Sequence, residues 1–265
     1  FSAYWPSTYK KNGVMKKNSN INISKLPDAI LFDTDNTLYP YSPAHQKAMR
    51  AIKDKFIEKF DIDSKLFDKT FVEAKKIVKS YLKGTASSHS RLLYINKVFE
   101  ILGLGTQILM TLEFEQTYWR TFLNNAVLFK GVKELLEELR LLEVPIAIVT
   151  DLTAQIQYRK MVYFDLDKFF DYVVTSEESG FDKPHPSSFK LAVEKLKIKG
   201  SQIWMIGDDP IADIKGAKDS IRAITFQKIH KGIVKGKGKY TPDFSFSNFN
   251  DLRLFIKNLK KNESK

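Results

Sequence analysis

Short, wholly apolar runs, each bounded by polar residues and spaced apart by segments of helical period, constrain this chain more than any other feature. Ala29-Ile30-Leu31-Phe32 comes first, Ile146-Ala147-Ile148-Val149 and Tyr172-Val173-Val174 follow, then Ile203-Trp204-Met205-Ile206, and Ile221 to Thr225 ends the series. A run with no polar member cannot keep one face in water, so each reads as a strand covered on both faces. Val132 to Leu142, Thr153 to Tyr163 and Ser187 to Leu196 lie between them with apolar residues at helical spacing. Strands alternating with helices predict an α/β fold, a Rossmann-like parallel sheet with right-handed crossovers. Ligands of such sheets sit beyond the carboxyl ends of the strands.

The first strand and the second are separated by more than a hundred residues, much of them helical by period. Ala48, Ile52, Phe56 and Phe60 mark one apolar face, and Phe67, Phe71, Ala74 and Val78 mark another. Leu92 to Leu102 and Ile108 to Phe122 supply two more. The division expected is a flexible basic leader over residues 1–25, a core built from 26–40 and 125–265, and a helical cap over 41–124. The Lys/Gly run at 231–239 reads as a mobile loop.

Composition narrows the chemistry. At 265 residues and 43% hydrophobic content the chain can bury a sizeable core. With no cysteine, disulfides, thiolate metal sites and a Cys nucleophile are excluded. The longest apolar runs fall far short of the ~20 residues that cross a bilayer, and Phe1 to Val14 lacks the pattern of a signal peptide. No membrane partner and a cytoplasmic location are therefore expected. The charge of +12 would steer phosphorylated ligands inward. The dense basic runs, Lys10 to Lys17 and Lys228 to Lys239, lack interleaved aromatics, which disfavours nucleic acid as the main partner.

Four strands end in, or lead into, residues useful to phosphoryl transfer. The first delivers Asp33-Thr34-Asp35-Asn36-Thr37, with carboxylates two residues apart at the mouth of a buried strand. They would repel each other unless a cation lay between them. After the fourth strand come Asp208, Asp209 and, about one helical turn on, Asp213. Hard oxygen donors with no His or Cys nearby favour Mg²⁺. Thr150 offers a hydroxyl and a main-chain N–H for a phosphate, and Lys183, ahead of Pro184, can neutralise both a nucleophile and a phosphoryl group.

The segments Phe-Asp33-Thr-Asp35-Asn-Thr-Leu-Tyr, Val-Thr150-Asp, Lys183-Pro-His-Pro and Ile-Gly-Asp208-Asp209 with Asp213 resemble, in order, the four motifs of the haloacid dehalogenase superfamily. The insert is similar to the helical cap of its subgroup with 5′-nucleotidases, phosphoglycolate phosphatase and acylneuraminate 9-phosphatase. The resemblance implies a Mg²⁺-dependent phosphatase acting on a small phosphorylated metabolite, a nucleotide or sugar phosphate. It implies Asp33 as nucleophile, giving an aspartyl-phosphate, and Asp35 as acid and then base. Mg²⁺ would be held by the Asp33 carboxylate, the Asp35 main-chain carbonyl and Asp208, with Asp209 or Asp213 as a further ligand or support. Thr150, Asp151 and Lys183 would bind the phosphoryl group. Asp35 argues against the metal-free dehalogenases, which have no acid there. Asn36 and Tyr39 lean toward the nucleotidase-like branch. A phosphotransferase or mutase shares every motif, and a non-catalytic binding module is the alternative from another class.

Plainer roles stand beside these. Asp33 and Asp35 can cap a helix, Asp213 can be a first-turn helix acid, and Asp151 can be a cap. In Ser87-Ser88-His89-Ser90-Arg91, a polar cluster interrupting the apolar period, His89 and Arg91 are the candidates for substrate recognition, against a surface loop. His185 reads as loop structure, and Tyr118 and Trp119 as core.

Overall fold

The computed structural model describes residues 15–198 and 200–263. Its center is a seven-stranded sheet in the order β1-β7-β6-β5-β2-β3-β4, formed by β1 (Lys16–Lys17), β2 (Ala29–Phe32), β3 (Ile146–Thr150), β4 (Tyr172–Thr175), β5 (Ile203–Gly207), β6 (Ile224–Lys228) and β7 (Phe244–Phe246). All pairings are parallel except that of β1 with β7. The Rossmann-like parallel sheet is therefore present, with one antiparallel edge.

Side-chain alternation explains why the strands are apolar throughout. Ile30, Phe32, Trp204 and Ile206 face one side, packing with Phe226, Phe244 and the residues of α5 (Val132–Leu141) and α10 (Phe249–Glu263). Leu31, Val149 and Met205 face the other, against Phe189 and Ala192 of α8 (Pro186–Leu196), which follows the single turn α7 (Ser176–Ser179), and Ala217 of α9 (Gly216–Ile221). β2 lies between β5 and β3, where the chain turns from building one half of the sheet to building the other. The carboxyl end of β2 thus opens into the crevice of the switch point.

Between β2 and α5 run α1 (Tyr41–Phe60), α2 (Ser64–Tyr81), α3 (Arg91–Ile101) and α4 (Ile108–Asn125). Ala44, Ala48, Ile52 and Phe56 repeat every four residues and are all buried along α1. The Phe56 ring lies 4.3 Å from that of Phe114 on α4 and 4.9 Å from that of Phe99 on α3 (centroid to centroid). The same apolar cluster runs on through Tyr39 and Phe122 to the sheet. Tyr118 and Trp119 belong to it, as read from their spacing.

Three readings need correction. The flexible leader expected over residues 1–25 does not extend through its second half. Met15 and Ile23 are buried and Lys16–Lys17 extends the sheet, because β7 presents an unpaired edge; residues 1–14 lie outside those described. The last apolar run becomes a strand only from Ile224, since α9 continues through Ile221 and Arg222 caps it at a φ of 54°. Lys228, counted with a basic run, is buried, with its ammonium 4.0 Å from the center of the Phe129 ring. No helix among the described residues is long and apolar enough to cross a membrane.

Candidate active site

Asp33 follows β2 directly, and its main-chain N–H donates to the Ile206 carbonyl of β5, so its position is set by the sheet. Lys183 Nζ donates to Asp33 Oδ1 at 2.7 Å and Thr37 Oγ1 to Asp33 Oδ2 at 2.8 Å. The same ammonium also donates to Asp213 Oδ1 at 2.7 Å and to the Val149 carbonyl at 3.0 Å, which uses all its donors. Burial would lower the Lys183 pKa, but Asp213 and Asp33 hold it well above the ordinary lysine range.

Asp33, Asp208 and Asp213 each offer a carboxylate oxygen within 4.8 Å of the others. Burial, then mutual repulsion, raises the pKa of Asp33 and Asp208, and burial raises that of Asp213. Lys183 alone does not balance three such carboxylates. Gly207 makes the approach of Asp213 possible, because a Cβ there would lie 2.4 Å from its carboxylate. The Asp209 carboxylate instead caps a π-helical turn (Pro210–Lys215), accepting from the N–H groups of Ile211 and Ala212 at 2.7 Å each. Its own N–H donates to Asp213 Oδ2 at 2.9 Å.

Asp35 is turned another way. Both its oxygens accept from Lys160 Nζ, at 2.7 and 3.0 Å, and Oδ1 also accepts from the Tyr39 hydroxyl. Burial alone would raise its pKa, yet Lys160 and Tyr39 hold it below the usual carboxylate range. Burial draws Lys160 down while Asp35 draws it up. The two-oxygen geometry is that of an ammonium–carboxylate pair. Lys160 lies on α6 (Ala154–Tyr163), fully buried among the rings of Tyr39, Trp119 and Phe122.

Thr150 is buried, its hydroxyl 2.8 Å from that of Thr34 and accepting from Gln157 Nε2 at 2.8 Å. Asp151 Oδ1 accepts the Lys183 N–H at 2.8 Å, tying the β3 loop to the loop of Lys183. Burial raises the Asp151 pKa to about 6. Leu152 follows at a φ of 92°, a strained conformation for a non-glycine residue beside a site. His185 caps α8, accepting from the Ser187 N–H, in line with its reading as loop structure.

The insert forms the facing wall. Arg91 opens α3, and His89 lies just before it in a 3₁₀ turn (Ala86–His89). His89 Nε2 lies 3.0 Å from Asp182 Oδ2, and the Asp182 N–H donates to the Gly84 carbonyl, so two contacts join insert and core next to Lys183. A cavity of about 310 Å³ is lined by Asp33, Asp35, Thr150, Asp151, Lys183, Asp208, Asp209 and Asp213 from the core and by Tyr41, His89 and Arg91 from the insert. All the candidates from sequence thus face one space.

Four contributors escaped sequence reasoning. Lys160 was legible in part, since it stands four residues after Ile156 on the buried face of α6. Thr37 and Gln157 gave no separate signal, and Tyr39 was read only as a marker of one branch, because their hydroxyl and amide groups matter only through the partners that folding brings. Asn36 at a φ of 64° accepts the Tyr41 N–H, and Tyr39 bonds Asp35. The two residues that leaned toward nucleotidases therefore have structural uses.

The model of the haloacid dehalogenase-like hydrolase family matches residues 27–220. The chain belongs to that family. This haloacid dehalogenase-like hydrolase is 38% identical over 190 residues to a ribulose-1,5-bisphosphate 5-phosphatase of Halopiger xanaduensis, a match covering 71% of this chain and 80% of the relative. It is 30% identical over 238 residues to a glyceraldehyde 3-phosphate phosphatase of Methanocaldococcus jannaschii, covering 88% of this chain and 98% of the relative. Among solved structures, a HAD phosphatase from Thermococcus onnurineus superposes with a TM-score of 0.65 at 22% identity, covering 86% of this chain and 97% of that one. A 2-haloacid dehalogenase from Pseudomonas syringae superposes at 0.66 and 18%, covering 88% and 99%, a likeness of fold.

Proposed function

We propose that this hydrolase removes phosphate from a small phosphorylated sugar, with Asp33 as nucleophile and Mg²⁺ as cofactor. The chain is a phosphoric monoester hydrolase in this reading. The observation that carries it is Asp33 itself, held between Lys183 and the carboxylates of Asp208 and Asp213 at the floor of a cavity of about 310 Å³. That volume suits a small metabolite, and the relatives named for ribulose bisphosphate and glyceraldehyde 3-phosphate support a sugar phosphate.

Three clustered, cation-poor carboxylates fit a hard divalent ion. Asp33, Asp208 and Asp213 would hold it with the Asp35 main-chain carbonyl, while Asp209 shapes the turn behind Asp213. Bound Mg²⁺ supplies charge that relieves this repulsion and neutralises the phosphoryl oxygens. An Asp33 oxygen forms a bond to phosphorus as the ester P–O bond breaks, and the leaving oxygen takes a proton from Asp35. Phosphate dianion beside Asp35 raises its pKa and makes it an acid. Once the alcohol has left, the pair with Lys160 favours the anionic form of Asp35, which takes a proton from water as that water's oxygen bonds phosphorus and the Asp33–phosphorus bond breaks, releasing phosphate and restoring the Asp33 carboxylate. Lys183 anchors Asp33 and balances charge on the phosphoryl group, with Thr150 and Asp151 positioning the loops around it. Residues 41–124 act as the cap, and His89 and Arg91 select the leaving group.

The deciding experiment measures phosphate released with Mg²⁺ from pentose, triose and nucleoside phosphates. Release from at least one sugar phosphate, stopped by EDTA, is expected; no release from any monoester would sink the reading. A second expectation concerns the ion alone. Because burial and mutual repulsion hold the Asp33 and Asp208 carboxyls above the ordinary carboxylate range, Mg²⁺ would compete with protons for their oxygens. Its affinity, followed by calorimetry, should rise with pH from 6 to 8 by roughly tenfold per unit for each proton released. An affinity flat with pH would count against this ligand set.

A further inference from the structure

The cations around the cavity are not equally matched. Lys183 pairs with Asp33 and Asp213, and Lys160 pairs with Asp35. Arg91 lines the same cavity, yet among the described residues no carboxylate forms an ion pair with it. Its Nη1 donates to the His89 carbonyl at 2.6 Å and its Nη2 to the Tyr41 hydroxyl, both neutral partners. The rings of Tyr94, Tyr118 and Trp119 surround the guanidinium at 5.4 to 5.7 Å. Of the acids on this side of the cavity, Asp182 is paired with His89 and Asp35 with Lys160.

A half-buried guanidinium that has lost much of its water gains most from an oxyanion, and its planar fork matches the two oxygens of a carboxylate or phosphate. The aromatic rings fix its position before any ligand arrives, so little entropy is lost on binding. Arg91 belongs to the insert wall of the cavity, bonded to His89 and Tyr41, whereas Lys183 and Asp33, which meet the phosphoryl group in the proposed reaction, belong to the core wall. Arg91 therefore stands on the leaving-group side.

We infer that the substrate carries a second anionic group, a carboxylate or a second phosphate, on its leaving group, and that Arg91 binds it. This rests on the hydrolase reading for its orientation, but the test does not require turnover. In the Asp33→Asn protein with Mg²⁺, calorimetry compares 3-phosphoglycerate with glycerol 3-phosphate, and a pentose 1,5-bisphosphate with its 5-phosphate. The member bearing the extra anion should bind roughly 10- to 100-fold more tightly in at least one pair. Arg91→Gln should bring that ratio to within about threefold of unity, and Arg91→Lys, which keeps charge without the fork, should retain part of it. Equal affinities within both pairs, no binding of any of the four, or a preference unchanged in Arg91→Gln would overturn the inference. The ratio in the Arg91 protein decides the matter even where a variant fails to fold. Separately, a wild-type protein that prefers the diacid but releases no phosphate leaves the second-anion site standing and removes the hydrolase reading.

Discussion

Replacing Asp33 with Asn should lower kcat for phosphate release by roughly 10⁴-fold or more, because an amide cannot form the bond to phosphorus on which the proposed route depends. The fold should survive, since Asn is isosteric and its oxygen can still accept from Lys183 or Thr37. The accompanying change in stability separates this cause from general damage. The pKa of Asp33 is raised in the folded chain from the ordinary carboxylate value to about 7. A carboxyl raised in this way favours the fold when protonated and opposes it when ionised, so its cost grows as pH rises from about 4 to 7 and is complete above. In EDTA, thermal denaturation should find Asp33→Asn more stable than wild type at pH 8, by about 1–3 kcal/mol after allowance for relaxation, and little different at pH 4. With Mg²⁺ the order should narrow or invert, because the wild-type site gains a ligand charge that the variant lacks. An inactive variant unfolded at every pH, or a variant of unchanged activity, would count against Asp33 as the nucleophile.

Lys160→Met should have the largest effect on stability. Methionine fits among Tyr39, Trp119 and Phe122, so the cost comes from leaving Asp35 without its cation. Breaking a buried pair costs about 3–5 kcal/mol, and a discount to roughly 2–4 is warranted because the Asp35 side chain is 32% exposed. At pH 7 this corresponds to a fall in Tm of roughly 5–10 °C for a chain of this size. Asp35→Asn added to Lys160→Met should recover most of it, a coupling that a packing defect would not show. The pH dependence follows from the depressed Asp35 pKa: the pair stabilises the fold above the unfolded value of about 3.9 and is lost as pH falls through the lower folded value. Without Lys160 the Asp35 pKa rises, so the acid limb of the kcat profile should move up by about 1–3 pH units. An unmoved limb would mean that Asp35 is not the group whose ionisation the reaction reads.

Legibility from sequence differed by residue, for physical reasons. Ala29 to Phe32 and Ile203 to Ile206 announced buried strands because a parallel sheet covered on both faces tolerates no polar side chain there. Lys16–Lys17 and Phe244–Phe246 were invisible, since strands of two and three residues carry no period and owe their form to a neighbour's edge. The acids of the site were legible because their types and spacing are local. Which oxygen each acid presents, and to what, was not.

The chain's order of apolar runs and the acids that follow them determined a parallel sheet with Asp33, Asp208 and Asp213 at one of its ends, because strand direction and residue spacing are properties of the sequence. Only the tertiary structure decided the pairings: Lys183 with Asp33 and Asp213, Asp35 turned to Lys160, Asp209 as a helix cap, and Arg91 facing the cavity with no carboxylate paired to it among the described residues. Each joins residues far apart in the chain or chooses among rotamers, and such choices follow from burial and from the competition of charges for a few partners.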